Sequence, residues 1–300
     1  MSTPASHPKA RLAKVSPGRA LRILSQLSPT GMVGLLMLLA VAALIAIVPL
    51  LPSFAPYKQN MMGVDLRPFE SSRAGFHLFG TDNLGRDYLS RVAVGAGVSA
   101  LIGLAAITIA LIVGVFLGLL AGYFRGWVET FVMGIADLQL AIPRILFLIA
   151  ITAVVGPSIL NLTLILGLTS WVTYGRVARA LTLSLREREF VLAARTHGAG
   201  PVWNIRKHLL PNVLPQMVIL ATYELGQIII LEASLSFLGV GIQPPLPSLG
   251  MMVAEGQAYL RLNIWLSVIP GAVLFLMVAG AQFFSQSFTS EGRSGGFGGR

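Results

Sequence analysis

An all-α polytopic membrane protein with six transmembrane helices is the fold class this sequence predicts, and three observations carry the prediction. Hydrophobic residues make up 55% of the 300 and charged residues only 11%, with a mean hydropathy of +0.76, a balance that leaves a soluble domain too little polar surface. Six apolar segments approach the roughly 20 residues that a helix needs to cross a bilayer. Lys and Arg, which give a formal charge of +10, are divided unequally among the segments that connect them. The chain has no cysteine, so disulfides and thiolate metal sites are excluded. His7, His77, His197 and His208 are too scattered to suggest a metal cluster.

The N-terminal tail, 1–31, carries Lys9, Arg11, Lys14, Arg19 and Arg22 and no acidic residue. No convincing small-residue cleavage site follows, so the apolar run 32–51 is expected to stay as the first span. An outer segment, 52–95, has nearly balanced charge and leads into a second span at 96–122. There Gly114, Gly118 and Gly122 recur every fourth residue, after Ala96, Ser99, Gly103 and Ala106. Small residues let helix backbones approach closely in lipid, where hydrophobic burial does not drive association, so this helix is expected inside the bundle. The third span, 130–155, contains Asp137, expected to snorkel to the inner face, and Pro143, which predicts a kink just before Arg144. The fourth, 159–175, is short and includes polar residues, so a re-entrant segment competes with a full crossing. The fifth and sixth spans fall at 213–239 and 264–284. Between them, 240–263 contains GIQPPLPSLG, whose prolines predict an extended or turning outer connector. The ending SEGRSGGFGGR, within a cytoplasmic tail at 285–300, is predicted to be disordered.

Six crossings put both termini on one side. With the N-terminus inside, the inner segments hold fifteen Lys and Arg: five in 1–31, one in 123–129, seven in 176–212 and two in 285–300. The outer segments hold six. The positive-inside rule selects that orientation and accounts for the charge without nucleic acid. Arg144, Glu224 and Glu232 fall within spans, where a central charge costs about 2.5–3.5 kcal/mol on insertion scales, so each needs a partner or water. They either line a path through the membrane or brace the bundle. Arg144 is a candidate partner for a carboxylate of the fifth span.

The inner connection 176–212 is too long for a simple link between bundle helices. Good helix formers run from Leu183 to His197 without Gly or Pro, and Gly198 and Gly200 supply a stop. Pro201 suits the first turn of a second helix, with Val202, Ile205 and Leu209 on one face and Pro211 as its end. Ala193, Ala194, Gly198, Ala199 and Gly200 form a low-relief knuckle between them, suited to docking by another protein. An amphipathic loop lying on anionic headgroups is the competing reading. An intramembrane enzyme finds little support, since HExxH is absent and neither a GxSxG nor a histidine lies inside a span. An ion-coupled carrier or channel is compatible with the buried charges but leaves the basic hairpin without a purpose.

LREREFVLAARTHGAGPVWNIRKHLLPNVLP resembles the cytoplasmic signature loop of ABC importer permeases. The usual form of that loop is Glu-Ala-Ala, three residues, Gly, nine residues, Ile, any residue, Leu, Pro. Ala193 and Ala194 match its alanines, Gly198 its glycine, Leu210 and Pro211 its final pair, while Leu192 stands where glutamate is usual and His208 where isoleucine is usual. FGTDNLGRDYLSRVAVGA (79–96) and LEASLSFLGVGIQPPLPSLG (231–250) resemble segments of the dipeptide/oligopeptide/nickel-type permeases, with Leu249 in place of a usual tryptophan. The resemblance spans roughly 75–285. It implies a non-catalytic permease subunit in the cytoplasmic membrane of a bacterium or archaeon. The expected partners are a second homologous permease, two ATPases, an extracytoplasmic solute-binding protein and membrane lipid. It further implies coupling to the ATPase through Ala193, Ala194, Gly198, Ala199, Gly200, Pro201, Leu210 and Pro211. ATP and Mg are expected on the partner subunits and no cofactor or metal on this chain, which has no Gly-Lys dipeptide and hence no GxxxxGK[ST] phosphate loop.

Overall fold

The computed structural model describes residues 28–72 and 75–294. The basic residues Lys9 to Arg22 and the closing GGFGGR lie outside the described residues. Ten α-helices organise the described chain: α1 (Pro29–Ile47), α2 (Tyr88–Phe124), α3 (Gly126–Ala141), α4 (Arg144–Val155), α5 (Ile159–Arg186), α6 (Glu189–Thr196), α7 (Pro201–Asn204), α8 (Leu210–Phe237), α9 (Leu249–Gln257) and α10 (Trp265–Ser294). A short antiparallel pair, β1 (Ser71–Ser72) and β2 (Gly75–Phe76), sits in the first outer segment. By length and composition, Pro29–Leu50, Tyr88–Phe124, Pro201–Phe237 and Trp265–Phe288 are able to cross a membrane, and α3 with α4 supplies a fifth span if the bent pair counts as one.

Several expectations change. The expected third span is broken: α3 and α4 meet at 93°, with Ile142 and Pro143 extended between them. Neither half, at about 24 and 18 Å, spans the hydrocarbon alone. Pro211 does not end the second hairpin helix, because α7, a π-helical turn (Ile205–Leu209) and α8 form one continuous 37-residue helix. Pro211 has no N–H to give a carbonyl four residues back, and its ring crowds that carbonyl. The turn before it is widened, with the Leu210 N–H bonding Ile205 O five residues back. Finally, α10 is helical through Ser294, so 285–294 is helix where disorder is expected.

Glycine determines how α2 and α5 meet. A Cβ on Gly114 would stand 2.5 Å from Trp171 O, on Gly118 2.5 Å from Gly175 O, and on Gly122 2.6 Å from the Thr182 Cβ. These pairings advance together along both helices, so α2 and α5 run parallel. Other contacts reverse direction: Ser99 meets Glu232 while Gly103 meets Ile229 and Leu225, making α8 antiparallel to α2. Gly31 meets Ser287 and Gly34 meets Phe284 and Gly280, making α10 antiparallel to α1. The start of α1 and the end of α10 therefore share one end of the bundle, where the Ser28 and Ser287 hydroxyls are 2.9 Å apart.

α5 is the polar one among the long helices because it is an interior one. Leu162, Leu166, Tyr174 and Ala178 are buried in the main core cluster with Ile102, Ala106, Leu148 and Met217. Its hydroxyls bond back into their own helix, Thr163 to Ile159 O, Thr169 to Ile165 O, Ser170 to Leu166 O and Thr182 to Ala178 O, at 2.6–2.7 Å. Such bonds leave no polar atom of these side chains seeking water. At the opposite end from the hairpin, Ser248 caps α9, accepting from Met251 N, and Leu249 is fully buried beside Gly95 of α2.

Candidate functional site

The hairpin is a rigid turn with its small residues outward. α5 continues to Arg186 and gives way at Glu187–Arg188 to α6. That break lies inside the stretch expected as one helix. No Gly or Pro causes it; it lets Val191 pack, fully buried, into the main core cluster. α6 ends in a Schellman motif, with Ala199 N donating to Ala194 O and Gly198 N to Arg195 O, both at 3.0 Å. Gly198 has φ +83, a conformation that only glycine adopts without strain. The buried Asn204 side chain donates to Ala199 O and Gly200 O at 3.0 and 3.2 Å, tying the turn to α7, which opens on Pro201. Ala193, Gly198, Gly200, Pro201 and Pro211 are exposed, Ala194, Ala199 and Leu210 partly so. Ala194, His197, Gly198, Ala199, Gly200 and Trp203 line an open depression of about 440 Å³. His208, where isoleucine is usual, is wedged between Trp203 and Phe190, with ring centroids 4.9 and 5.7 Å away. Leu192 is exposed.

Several basic residues of this region are engaged internally rather than free. Arg179 pairs with Glu129, Arg176 with Asp137 at 2.5 Å, and Arg186 donates to Tyr123 O at 2.7 Å. These contacts pin α3 and the end of α2 to α5. Asp137 is thus exposed, as expected, but paired.

The three in-span charges divide into two kinds. Glu232 is 0% exposed, and each of its oxygens receives a hydroxyl: Oε2 from Ser99 at 2.7 Å and Oε1 from Ser236 at 2.8 Å. Arg144 donates through Nη2 to Ser170 Oγ at 2.6 Å and lies within electrostatic reach of Glu224 without an ion pair inside 4 Å. Glu224 is buried, and its Oε2, the Arg144 Nε and the Tyr174 hydroxyl have no hydrogen-bond partner among the described residues. Tyr174 and Ser236 carried no signal in the sequence, and Ser99 only that of a small packing residue, since a hydroxyl in an apolar helix gains meaning only from the charge placed opposite it.

A second charged cluster escaped sequence reasoning. Asp82 accepts from Leu84 N and Arg86 N through Oδ1, and from Arg86 Nε through Oδ2 at 2.6 Å. Asp87 caps α2 through Ser90 N and meets His77 Nδ1 at 2.9 Å. Arg91, on the first turn of α2, lies between Asp82 and Glu255. Burial, with the Asp82 carboxylate adding to it, pushes Asp65 above the usual carboxylate range. The closely spaced charges of TDNLGRD were the available signal.

Residues 114–289 match the family described as binding-protein-dependent transport system inner membrane component. The chain is 39% identical over 204 residues to the dipeptide transport system permease protein DppC of Alkalihalophilus pseudofirmus, covering 68% of this chain and 67% of that one. It is 38% identical over 209 residues to the di/tripeptide transport system permease protein DppC of Pseudomonas aeruginosa, covering 70% and 69%. An inward-facing structure of the MetNI methionine ABC transporter superposes with a TM-score of 0.51 at 21% identity, over 67% of this chain and 95% of that one, and shows a shared fold. The chain belongs to the binding-protein-dependent transport system inner membrane components, as a peptide-type ABC transporter permease and a transport component rather than an enzyme.

Proposed function

We propose that this chain forms half of the translocation pathway of an ATP-driven importer for di- or oligopeptides or related small solutes, and is driven by an ATPase seated on the hairpin. The observation that carries the reading is the knuckle itself: a Schellman turn, locked by Asn204 and surrounded by exposed small residues, at the head of a continuous helix that runs through the bundle. A rigid docking surface on an unbroken helix transmits displacement, whereas a flexible loop absorbs it. ATP and Mg belong to the ATPase partners, and this chain binds no cofactor or metal. A second homologous permease completes the pathway, two ATPases dock inside, and an extracytoplasmic binding protein delivers the solute.

Six crossings are part of this proposal. Parallel α2 and α5 support a return of the chain between them across the bundle, and we read α3 and α4 as one broken crossing rather than a re-entrant loop. Direction then alternates through α1, α2, α3–α4, α5, α8 and α10, in keeping with Ser28 and Ser287 at one end. The excess of Lys and Arg supports a cytoplasmic position for that end and the hairpin. Glu224 and Glu232 are enclosed within a single chain, in which a face turned toward a second permease would stay open. We assign Glu232, held by Ser99 and Ser236, and Arg144, held by Ser170, as internal braces and not as path lining.

Gly200→Trp tests the docking assignment. Gly200 has φ −70 and open space around it, so the substitution adds bulk at the depression without backbone strain. In the assembled complex, we expect normal membrane insertion with uptake and solute-stimulated ATP hydrolysis reduced about tenfold or more, as a steric block at an interface core does. Unchanged uptake with the ATPase still bound refutes the assignment.

A further inference from the structure

At the end of the bundle opposite the hairpin, a cavity of about 350 Å³ opens between the Asn83–Arg91 region, the Pro244–Leu246 run and α9. Three charged side chains line it: Arg86, which is paired with Asp82, and Arg91 and Glu255. Arg91 is only 4% exposed, and neither its Nε nor its Nη1 makes a hydrogen bond among the described residues. Its Nε is ion-paired at 3.2 Å with Asp82 Oδ2, which also pairs with Arg86, and Glu255 Oε2 is 3.8 Å from Nη2, so the Nη1–Nη2 end of the fork is the part left open. A buried guanidinium with idle donors is costly, and its planar fork is suited to a carboxylate held at two points. Glu255 offers the opposite chemistry, since its carboxylate is 40% exposed and only accepts. Pro244, Leu246 and Met251 provide apolar wall.

We infer that this cavity binds a zwitterionic dipeptide by its two ends, the carboxylate on Arg91 and the ammonium on Glu255, as solute enters the permease. The charges of Asp82, Arg86, Arg91 and Glu255 sum to zero, so a zwitterion preserves the local balance that a simple anion or cation upsets. The volume lies near the lower end of ligand pockets, which favours two residues over a longer peptide. The inference rests on the reading above that the chain is a peptide importer with this end outside.

Direct binding of L-alanyl-L-alanine to the assembled complex in nanodiscs, without binding protein, tests it by saturation-transfer NMR. The free dipeptide is expected to bind, and N-acetyl-alanyl-alanine and alanyl-alanine amide each to bind about tenfold or more weakly, because each blocked end leaves one charge unpaired. Glu255→Gln, at a half-exposed position that tolerates it, is expected to erase the preference over the acetylated form; Arg91→Lys keeps the charge but loses the fork and is expected to erase the preference over the amide. Equal binding of free and blocked peptides, or unchanged selectivity in Glu255→Gln, overturns the site. A Glu255→Gln effect confined to binding-protein affinity overturns it in favour of protein docking. Uptake of labelled dipeptide by the wild-type complex, measured in parallel, separates the two readings. Uptake without direct binding refutes this site alone, and absence of any peptide uptake refutes the peptide reading of the cargo and the site with it.

Discussion

Glu232 shows how one residue's setting decides its part. A carboxylate in lipid is expensive, yet this one has a hydroxyl on each oxygen, one from a residue 133 positions away in sequence and one from the next turn of its own helix. Ser99→Ala removes the first and leaves a fully buried acceptor unpaired, at a cost of about 1–3 kcal/mol. Thermal unfolding in detergent should therefore fall below that of wild type, while Ser234→Ala, whose exposed hydroxyl bonds only Ile230 O, should leave it within experimental error. Equal melting of the two variants means that the Ser99 contact does not brace the bundle. Sequence pointed to Glu232 as a charge needing a partner, but a serine on α2 was not distinguishable from its neighbours until the helices were packed.

At the scale of elements, the glycine stripe on α2 and the π-turn before Pro211 are the two features that fix helix positions. Gly118→Leu would drive a side chain into Gly175 O and the Ala178 Cβ, 2.5 and 2.6 Å from the first added carbon. Backbone cannot yield as a side-chain tip does, so we expect a loss at or above the 1–3 kcal/mol of overpacked cores, read as poor membrane yield and lowered melting. Gly134→Ala, with nothing within 4 Å, should be neutral or slightly stabilising. A stable Gly118→Leu protein contradicts the parallel α2–α5 contact. Pro211→Ala returns an N–H to the chain and permits an ordinary α-turn, which rotates the hairpin by about 100° for the one residue of register that changes. Retained expression with weakened coupling of ATP hydrolysis to uptake is the expected result, and wild-type coupling shows that the π-turn has no part in placing the knuckle.

For the molecule as a whole, the decisive quantity is the number and direction of crossings. Because the chain lacks cysteine, it serves as its own background for labelling. Ala193→Cys and Lys58→Cys, both at exposed positions, should react with an impermeant maleimide from opposite sides of the membrane, Ala193→Cys from the cytoplasm. Labelling of both from one side removes a crossing and breaks the alternation that parallel α2 and α5 demand. The same architecture sets the hairpin and the Arg91–Glu255 cavity at opposite ends of the bundle, so the proposed sites of ATPase docking and solute entry share no direct contact.

Composition and hydropathy by themselves determined the helical membrane class and the approximate positions of most long helices, because each such signal is contained within a few turns of chain. Spacing alone marked the hairpin, since Gly198, Gly200 and Pro201 impose their backbone preferences locally. The 93° break, the continuity of Pro201–Phe237 and the interior position of α5 were decided by packing. Pro143 announced a bend without its angle, Pro211 looked like a stop until a π-turn absorbed it, and the polar face of α5 made sense only once α2 covered it. The outer cavity is the extreme case, because Arg91 and Glu255 acquire their chemistry from being brought together by helices that the sequence describes one at a time.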